Sequence, residues 1–522
     1  MTPIDTHNSN PYQNLLYMEP LHLGGVDLRP IDLLEHVLAT GGTGSGKTRS
    51  FLLPLVEQVL RRFGDADDSK AGMILIDAKG DMTELAGECV RRAGRQKDLF
   101  VLGEGGNCWF ALFEHFGGDP TTVANFLFET LEDRGPGGGL ARGGSNDSFW
   151  DENTRRMLRA AVSLAKARHG PSLGSLEGIA EAIDSIISIQ GDSTDDDGTD
   201  FGAPDEFDKV LECANEGHAK GRLPESELNG LTNYLRKDVK GGNSKTWATI
   251  ANMSRNYIAQ FSQPALQRLF KPDPAKRRIT PEDVIDQGIA LIVSLSPVIY
   301  GDAATPFRMA VKKAFCDRML QRAHLCTMEN EVERPINQIR PVLYVCDEFH
   351  TTLGAKGRSS DAYFLDRVRE FRGMCVLATQ GISAIHSVLG CQSLCDHLLN
   401  NCRTKFFFAN DCPQTSRYFE SIGGEEERMV ESISFAPCKA PPRFRLPNHH
   451  FGPAPEVTVM GHSCGMRRLP RFSAAELGGL PNGTALVVTK GRHLVRFSID
   501  PENYSILQPT PSTYISPKYF LK

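Results

Sequence analysis

The residues best suited to chemistry form a glycine-rich segment, Gly41-Gly42-Thr43-Gly44-Ser45-Gly46-Lys47-Thr48. It fits the pattern G-x-x-x-x-G-K-[ST], in which inward-turned backbone N–H groups and a helix N-terminus bind phosphates. Lys47 is expected to contact the β- and γ-phosphates of ATP, and the Thr48 hydroxyl to ligate Mg²⁺. The alternative is a chance glycine-rich turn. The residues predicted to bind the nucleotide are Gly41, Gly42, Thr43, Gly44, Ser45, Gly46, Lys47, Thr48, Arg49 and Asp77.

The elements around this loop have the order that phosphate binding needs. The apolar run Val37–Ala39 before it predicts a short buried strand. After it, apolar residues recur at helical spacing between Phe51 and Phe63, which predicts a helix. The loop therefore joins a strand to a helix N-terminus.

Two carboxylates follow a second apolar run, far along the chain. Val342–Cys346 predicts a strand and is followed directly by Asp347 and Glu348. We expect this strand to neighbour the glycine-rich loop, so that Asp347 holds Mg²⁺ through water and Glu348 polarises the attacking water. The alternative is that the two acids cap a following helix.

Two further polar residues end apolar runs. Asp77 follows Met73–Ile76 and is a rival Mg²⁺ ligand, although the sequence after it better suits a strand-to-helix turn near the nucleotide. Gln380 follows Met374–Ala378, where it could sense the γ-phosphate or position water. The alternative for Gln380 is an ordinary surface loop.

Three arginines, Arg367, Arg369 and Arg372, precede the Gln380 strand on a predicted helix. Such a group could supply a catalytic arginine to a neighbouring subunit. A solvated basic helix face is the alternative for each of them.

The long interval between Lys47 and Asp347 indicates a large insertion. Residues 150–272 are mostly helical in pattern, with flexible seams at 133–146 and 191–205. The predicted fold is α/β, with a mostly parallel central sheet interrupted by an all-helical domain, and the predicted domains are 1–149, 150–272 and 273–522. The predicted helices of the insertion are 153–167, 174–189, 206–217, 225–239 and 244–270. The further predicted strands are 289–295, 405–408, 484–489 and 493–499, and 437–455 is predicted to be an exposed excursion.

Composition excludes several classes of protein. The 522 residues are 40% hydrophobic and 23% charged, as is usual for globular domains. A net charge of −6 excludes a wholly basic nucleic-acid-binding surface, although a local one remains possible. No run of about eighteen apolar residues and no signal peptide is found, and the 13 irregularly spaced cysteines fit a reducing cytosol. We therefore expect a soluble intracellular protein.

Six sequence segments in this order resemble a known family. The resemblance is to the TraG/TraD-type coupling proteins of type IV secretion and conjugation, within the hexameric DNA-pumping P-loop ATPases related to FtsK and HerA. It extends from about Leu21 to Ile499. The segments are HVLATGGTGSGKTRSFLLP, MILIDAKGDM, SFWDENTRRMLRAA, VLYVCDEF, LATQ and NNCRTKFFF.

The resemblance implies a RecA-like ATPase domain, an inserted all-helical domain and a homo-hexameric ring with DNA in its channel. It implies the same roles for Lys47, Thr48, Asp347, Glu348 and Gln380 as the residue patterns do. It also places the trans-acting arginine on the helix before the Gln380 strand, at Arg369 first and Arg372 next.

Many members of this family begin with a transmembrane anchor, whereas here the ATPase pattern starts almost at once. We therefore expect a cytoplasmic protein, peripheral at the inner membrane and held there only through a partner. The expected partners are DNA, relaxosome proteins and secretion-channel proteins.

The favoured function is an ATP-driven, sequence-tolerant DNA translocase that delivers DNA to a type IV secretion or conjugation system. Alternatives are a soluble ATPase receptor or unfoldase for protein substrates, and a DNA pump of a defence or mobile-element system. A scaffold without turnover is disfavoured by the intact Lys47, Asp347 and Glu348. The candidate DNA contacts are Arg142, Arg236, Lys237, Lys240 and Lys245, for which a solvated basic loop is the alternative.

Two groups of cysteine and histidine residues are weaker candidates for zinc. Their spacing fits no common zinc pattern, and free cysteines are often simply buried. The first group is Cys391, Cys395, Cys402 and Cys412 with His397, and the second is His449, His450, His462 and Cys464.

Overall fold

The computed structural model is built around one nine-stranded sheet. The structure describes residues 18–64, 70–132, 147–173, 175–191, 205–259, 261, 263–325, 340–355, 360–439, 456–489 and 494–499. The strands are β1 Leu21–Leu23, β2 Val26–Leu28, β3 Val37–Thr40, β4 Gly72–Asp77, β5 Leu99–Gly103, β6 Cys108–Phe110, β7 Arg277–Ile279, β8 Ala290–Ser294, β9 Val342–Cys346, β10 Gly373–Thr379, β11 Thr404–Phe408, β12 Glu425–Lys439, β13 Glu456–Pro470, β14 Thr484–Val488 and β15 Leu494–Ser498.

Helices follow most of the strands. They are α1 Pro30–Leu34, α2 Leu53–Arg62, α3 Thr83–Arg92, α4 Pro120–Glu132, α5 Asp147–His169, α6 Ser175–Gly191, α7 Glu206–Ala219, α8 Glu225–Tyr234, α9 Ser244–Ala259, α10 Pro264–Gln267, α11 Pro281–Asp286, α12 Pro297–Tyr300, α13 Ala304–Leu325, α14 Asp361–Val368, α15 Ile382–Leu389, α16 Gln392–Asn401, α17 Pro413–Gly423 and α18 Ala474–Gly478. A wide helical turn, Lys47–Leu52, leads into α2.

The order of strands across the sheet is β15-β14-β11-β3-β10-β9-β4-β8-β5. The seven strands from β11 to β5 are parallel, and β14 and β15 add an antiparallel edge. Every residue of β4 and of β10 is buried. Such continuous apolar runs are typical of parallel strands that are covered on both faces.

Successive residues of β3 point into different halves of the core. Val37 and Ala39 join the cluster that contains Phe51 and Leu55. Leu38 joins a second cluster on the opposite face of the sheet. The two-residue period of a strand therefore divides the core into two layers around the sheet.

The helices α5 to α9 begin within a few residues of the predicted starts, except that α5 starts earlier, at Asp147. Their apolar residues, such as Met157 and Ile183, belong to the same continuous core cluster as Leu38 and Ile76 of the sheet. The helical part is therefore packed onto the sheet through shared apolar contacts. The domain bounds 1–149, 150–272 and 273–522 remain predictions.

The strands predicted at β3, β4, β8 to β11, β14 and β15 are found within one or two residues of the predicted bounds. The β5 strand, the two small sheets β1–β2 and β6–β7, and the long hairpin β12–β13 were not predicted. The predicted excursion at 437–455 overlaps the end of β12, and most of it lies outside the described residues. Among the described residues, no helix is long and apolar enough to span a membrane.

Candidate nucleotide-binding site

The glycine-rich loop begins where β3 ends and is held by backbone hydrogen bonds to two other segments. The Gly41 N–H donates to the Thr379 carbonyl at 3.2 Å, and the Gly42 N–H donates to the Ala409 carbonyl at 2.8 Å. The loop is thereby anchored at the carboxyl ends of β10 and β11, beside the start of the Lys47–Leu52 turn.

Gly46 allows the loop to enter the helical turn. Its φ of +96° lies in the left-handed region that residues with a Cβ atom rarely adopt. A Cβ atom there would also lie 2.7 Å from the Asn482 side-chain oxygen. A side chain at position 46 would therefore be excluded by backbone geometry and by the neighbouring turn.

The Lys47 side chain folds back over the loop. Its Nζ donates to the carbonyl oxygens of Gly41 and Gly42, at 2.5 and 3.0 Å, and the residue is buried. Burial lowers the pKa of Lys47, and the nearby charges of Asp347 and Glu348 oppose that shift. The ammonium group thus sits inside the loop, where the phosphates of a nucleotide would be bound.

The structure brings Thr48 and Asp347 together, although they are far apart in the sequence. The Thr48 hydroxyl donates to Asp347 Oδ2 at 3.2 Å. The strand that carries Asp347, β9, is separated from β3 in the sheet by β10. The carboxyl ends of three adjacent parallel strands therefore meet at one crevice, which is the usual ligand position in such sheets.

Glu348 adopts a strained backbone conformation. Its φ and ψ are +49° and 46°, a left-handed conformation that costs a residue with a Cβ atom about 1–2 kcal/mol. Its own N–H donates to Asp347 Oδ1 at 3.0 Å, and its carbonyl accepts from the Thr351 N–H at 2.8 Å. These bonds hold the strained residue so that its side chain lies in the crevice.

Three polar side chains surround the Glu348 carboxylate. Lys79 forms an ion pair with it, Gln380 Nε2 donates to Oε1 at 3.3 Å, and His350 Nδ1 lies 3.5 Å from Oε2. Burial acts to raise the pKa of Glu348, but the hydrogen bond and charge of Lys79 outweigh it, and the pKa is lowered. Glu348 is therefore kept ionised.

The ionised form of Asp347 is less stable than that of Glu348, because its pKa is raised and not lowered. Burial raises its pKa, and the adjacent charge of Glu348 acts in the same direction. The positive charges of Lys47 and Lys79 reduce this effect but do not reverse it. A buried acid with a raised pKa next to a hydroxyl is a position that a cation would stabilise.

Asp77 lies at the end of β4 and accepts three hydrogen bonds. The donors are the N–H groups of Gly80 and Met82 and the Thr83 hydroxyl, at 2.7, 2.9 and 2.7 Å. Asp77 thus organises the turn between β4 and α3, as the sequence suggested, and its carboxylate is occupied by that turn.

The site is a cavity of about 340 Å³ between the glycine-rich loop, the two acids and the turn before β14. Arg49 lies on its wall, as predicted. Lys79, His350 and Asn482 were not predicted as site residues. Lys79 stands two residues after Asp77 in the segment MILIDAKGDM, but nothing in the sequence shows that it pairs with Glu348. Asn482 is far from the loop in the sequence and lies beside it only in the folded chain.

The two predicted trans-acting arginines differ in exposure. The Arg369 side chain is 46% exposed and lies 3.6 Å from Glu35. Arg372 is only 5% exposed, in a left-handed turn directly before β10. Its burial within its own chain does not suit contact with another subunit, so this role stays a prediction for Arg369.

The described residues of the predicted DNA-contacting cluster, Arg236, Lys237, Lys240 and Lys245, are all exposed. Lys240 also forms an ion pair with Asp205 at 3.0 Å. Arg142 lies outside the described residues.

The first predicted zinc group is not assembled in the described part of the chain. Cys391 is exposed, Cys395 and Cys402 are buried, and the Cys412 thiol contacts the Ser383 hydroxyl at 3.1 Å. In the second group, His462 and Cys464 lie close together, while His449 and His450 fall outside the described residues.

The sheet, the loop and the two acids define an α/β P-loop nucleotide-binding fold, which confirms the predicted fold class. Residues 304–453 match the family model described as the type IV secretion-system coupling protein DNA-binding domain. The resemblance to the type IV secretion coupling proteins that the sequence predicts is thus confirmed.

Solved structures support the same assignment at the level of the fold. The bacterial conjugative coupling protein TrwBdeltaN70 matches with a TM-score of 0.57 and 17% identity, over 94% of this chain and 91% of that one. TrwB in complex with ADP and Mg²⁺ matches with the same TM-score, identity and coverage. TrwB in complex with a non-hydrolysable ATP analogue also matches with a TM-score of 0.57 and 17% identity, over 94% of this chain and 92% of that one. No curated protein matches the chain.

Proposed function

We propose that this protein is a P-loop ATPase that uses ATP hydrolysis to move DNA toward a type IV secretion or conjugation system. The observation that carries the proposal is the meeting of Thr48, Asp347, Glu348 and Gln380 at one crevice beside the loop. The coupling-protein family match over residues 304–453 supports DNA as the cargo. TrwB, which shares the fold, has been solved with an ATP analogue and with ADP and Mg²⁺.

The residues present fit Mg²⁺ and ATP. Thr48 Oγ1 and Asp347 Oδ2 are oxygen donors 3.2 Å apart, and oxygen donors are the ligands that Mg²⁺ prefers. Burial, together with the adjacent charge of Glu348, raises the pKa of Asp347, so a cation bound there would stabilise its ionised form. Thr48 and Asp347 would hold the ion, Asp347 through water, and the loop N–H groups with Lys47 would hold the phosphates.

Bound Mg²⁺·ATP would supply a γ-phosphoryl group polarised for attack by water. In the chain itself, Glu348 is kept ionised and can accept a proton from that water. Gln380, which donates to Glu348, orients this carboxylate and would respond to the γ-phosphate through it. Lys79 holds Glu348 in place through the ion pair.

We further propose how the protein assembles, what it contacts and where it works. The protein acts as a homo-hexameric ring, and Arg369 reaches the nucleotide of the neighbouring subunit. Its partners are DNA, contacted mainly at phosphates, and relaxosome or secretion-channel proteins. It works in the cytoplasm, peripheral to the inner membrane, and contacts the membrane through a partner.

DNA is expected to stimulate ATP hydrolysis by the full chain. Because phosphate contacts dominate sequence-tolerant binding, the stimulation should be similar for unrelated duplexes and should weaken steeply as salt rises. The measurement is the steady-state hydrolysis rate with and without double-stranded DNA over a range of salt concentrations. Arg369→Ala should hydrolyse ATP slowly even with DNA, because the ring would lack its trans-acting arginine.

Arg367→Ala is the matched control for Arg369→Ala. Arg367 lies on α14, and its guanidinium stacks over Tyr363 at 3.6 Å. This variant should retain wild-type stimulation. Stimulation by a protein partner but not by any DNA would contradict DNA as the cargo, and equal activity of both arginine variants would contradict the role of Arg369.

The pH profile tests the role of Lys79. Lys79→Met removes the charge that lowers the pKa of Glu348, so this pKa should rise and the carboxylate should become protonated at higher pH. Since hydrolysis needs the ionised form, the acidic limb of kcat against pH should move to higher pH. The exposed Lys97→Met is the control and should leave the limb in place. An unmoved limb in Lys79→Met would exclude this role for Lys79.

A further inference from the structure

The hairpin of β12 and β13, which we call the ribbon, has no core of its own in the part that can be described. Residues 425–434 and 460–470 are all exposed or half-exposed. Four large apolar side chains are exposed to solvent there: Met429, Ile433, Met460 and Met466, at 69, 52, 63 and 60%. Isolated two-stranded hairpins are marginally stable in water, so the ribbon would benefit from a link between its strands.

Three potential metal ligands lie on one face of this ribbon. Glu431 is directly opposite Cys464 in the antiparallel register, and His462 is opposite Ile433. Directly opposed residues share a face, and so do residues two positions apart on one strand. Glu431, His462 and Cys464 therefore project to the same side, from both strands.

The ligand atoms of these three residues are already close. One ligand atom from each lies within 4.8 Å of the others. His462 Nε2 is 3.6 Å from Glu431 Oε2, and the other ring nitrogen, Nδ1, is 3.9 Å from Cys464 Sγ, so the ring would bind an ion through one of the two. Metal–ligand bonds of about 2.0–2.3 Å require only small further approach, which exposed side chains can make by rotation.

We propose that Glu431, His462 and Cys464 form a Zn²⁺ site that joins β12 to β13. A thiolate and an imidazole favour Zn²⁺ over Mg²⁺ or Ca²⁺, and the carboxylate disfavours Cu(I). The three side chains would occupy three tetrahedral positions, with the fourth open to water. This site goes beyond the proposed motor function and does not depend on it.

Zinc binding to the full chain tests the proposal directly. The protein is stripped with a chelator, separated from it under reducing conditions, and titrated with Zn²⁺ against a chromophoric competitor. We expect one Zn²⁺ per chain. Because even loss of an outer hydrogen-bond partner costs about 10- to 100-fold in metal affinity, Cys464→Ser and His462→Gln should weaken binding by at least that factor.

Cobalt provides a second readout that a structural effect would not produce. Co²⁺ bound to the stripped wild-type protein should show thiolate charge-transfer absorption, and Cys464→Ser should lack it. Cys391→Ser and Glu427→Gln are matched controls, because they remove an exposed cysteine elsewhere and an acid on the same ribbon face. Both should bind zinc as the wild type does.

All of these side chains are exposed, so the variants should fold, and thermal melting of the apo-proteins should be unchanged. The proposal is overturned if the stripped chain binds no stoichiometric zinc, or if Cys464→Ser and His462→Gln bind it as tightly as the wild type. Loss of zinc in Cys391→Ser alone would overturn it as well, because the metal would then lie at another group of cysteines.

Discussion

Glu348→Gln is expected to lower the kcat of ATP hydrolysis by about 10²- to 10⁴-fold, the usual contribution of a general base. The amide keeps the shape of the side chain and can still contact Lys79 and Gln380, but it cannot accept the proton of the attacking water. Nucleotide binding should change little, because Glu348 lies beyond the loop that holds the phosphates. The measurements are steady-state hydrolysis and equilibrium binding of a fluorescent ATP analogue.

The control for this variant is Glu84→Gln. Glu84 is an exposed acid in the first turn of α3, close in sequence to Lys79 but outside the cavity. It should hydrolyse ATP at the wild-type rate. If Glu348→Gln kept more than about a tenth of wild-type kcat, Glu348 could not be the general base.

Lys47→Ala is expected to weaken binding of Mg²⁺·ATP by about 10- to 100-fold or more, since one charge-assisted hydrogen bond is worth about 1.5–3 kcal/mol. Hydrolysis should fall with it, because Lys47 is the only part of the loop that carries a full positive charge to the phosphates. Isothermal titration of the variant with ATP and with ADP measures the loss. The effect should be larger for ATP, whose γ-phosphate Lys47 is expected to reach.

Lys47→Ala should fold normally. Burial already disfavours the charged form of Lys47, as its lowered pKa indicates, so removing the ammonium does not remove a stabilising ion pair. Lys97→Ala, an exposed position, is the control for both binding and thermal melting. Unchanged ATP affinity in Lys47→Ala would mean that the loop does not bind phosphates as proposed.

The sequence predicted most of the elements that position the site. The apolar runs of β3, β9 and β10 are buried on both faces, so each is visible as an uninterrupted run that ends in polar residues. Asp347 and Gln380 were therefore found by where their strands end, and Lys47 and Thr48 by the glycine-rich pattern that follows β3. The order of the strands in the sheet could not be predicted from these runs, because no local pattern shows that β10 lies between β3 and β9.

Other features depend on contacts between distant segments. The ion pair of Lys79 with Glu348 and the approach of Asn482 to Gly46 join residues that no local pattern connects. The left-handed conformation of Glu348 is likewise imposed by its neighbours and not by its own preference. The ribbon was missed because its described residues, 425–434 and 460–470, bury neither face, so they lack the alternation that marks a half-buried strand.

The continuous hydrophobic core has a consequence for how such a protein can be altered. Leu38 and Ile76 of the sheet share one apolar cluster with Met157 and Ile183 of the helical part. Removing the helices α5 to α9 would expose a large apolar surface to water, and such surfaces promote aggregation. A graft that exchanges these helices between relatives would therefore have to include α4, which packs against α5, and α13, which packs against α4, or redesign the apolar residues at the junction with the sheet.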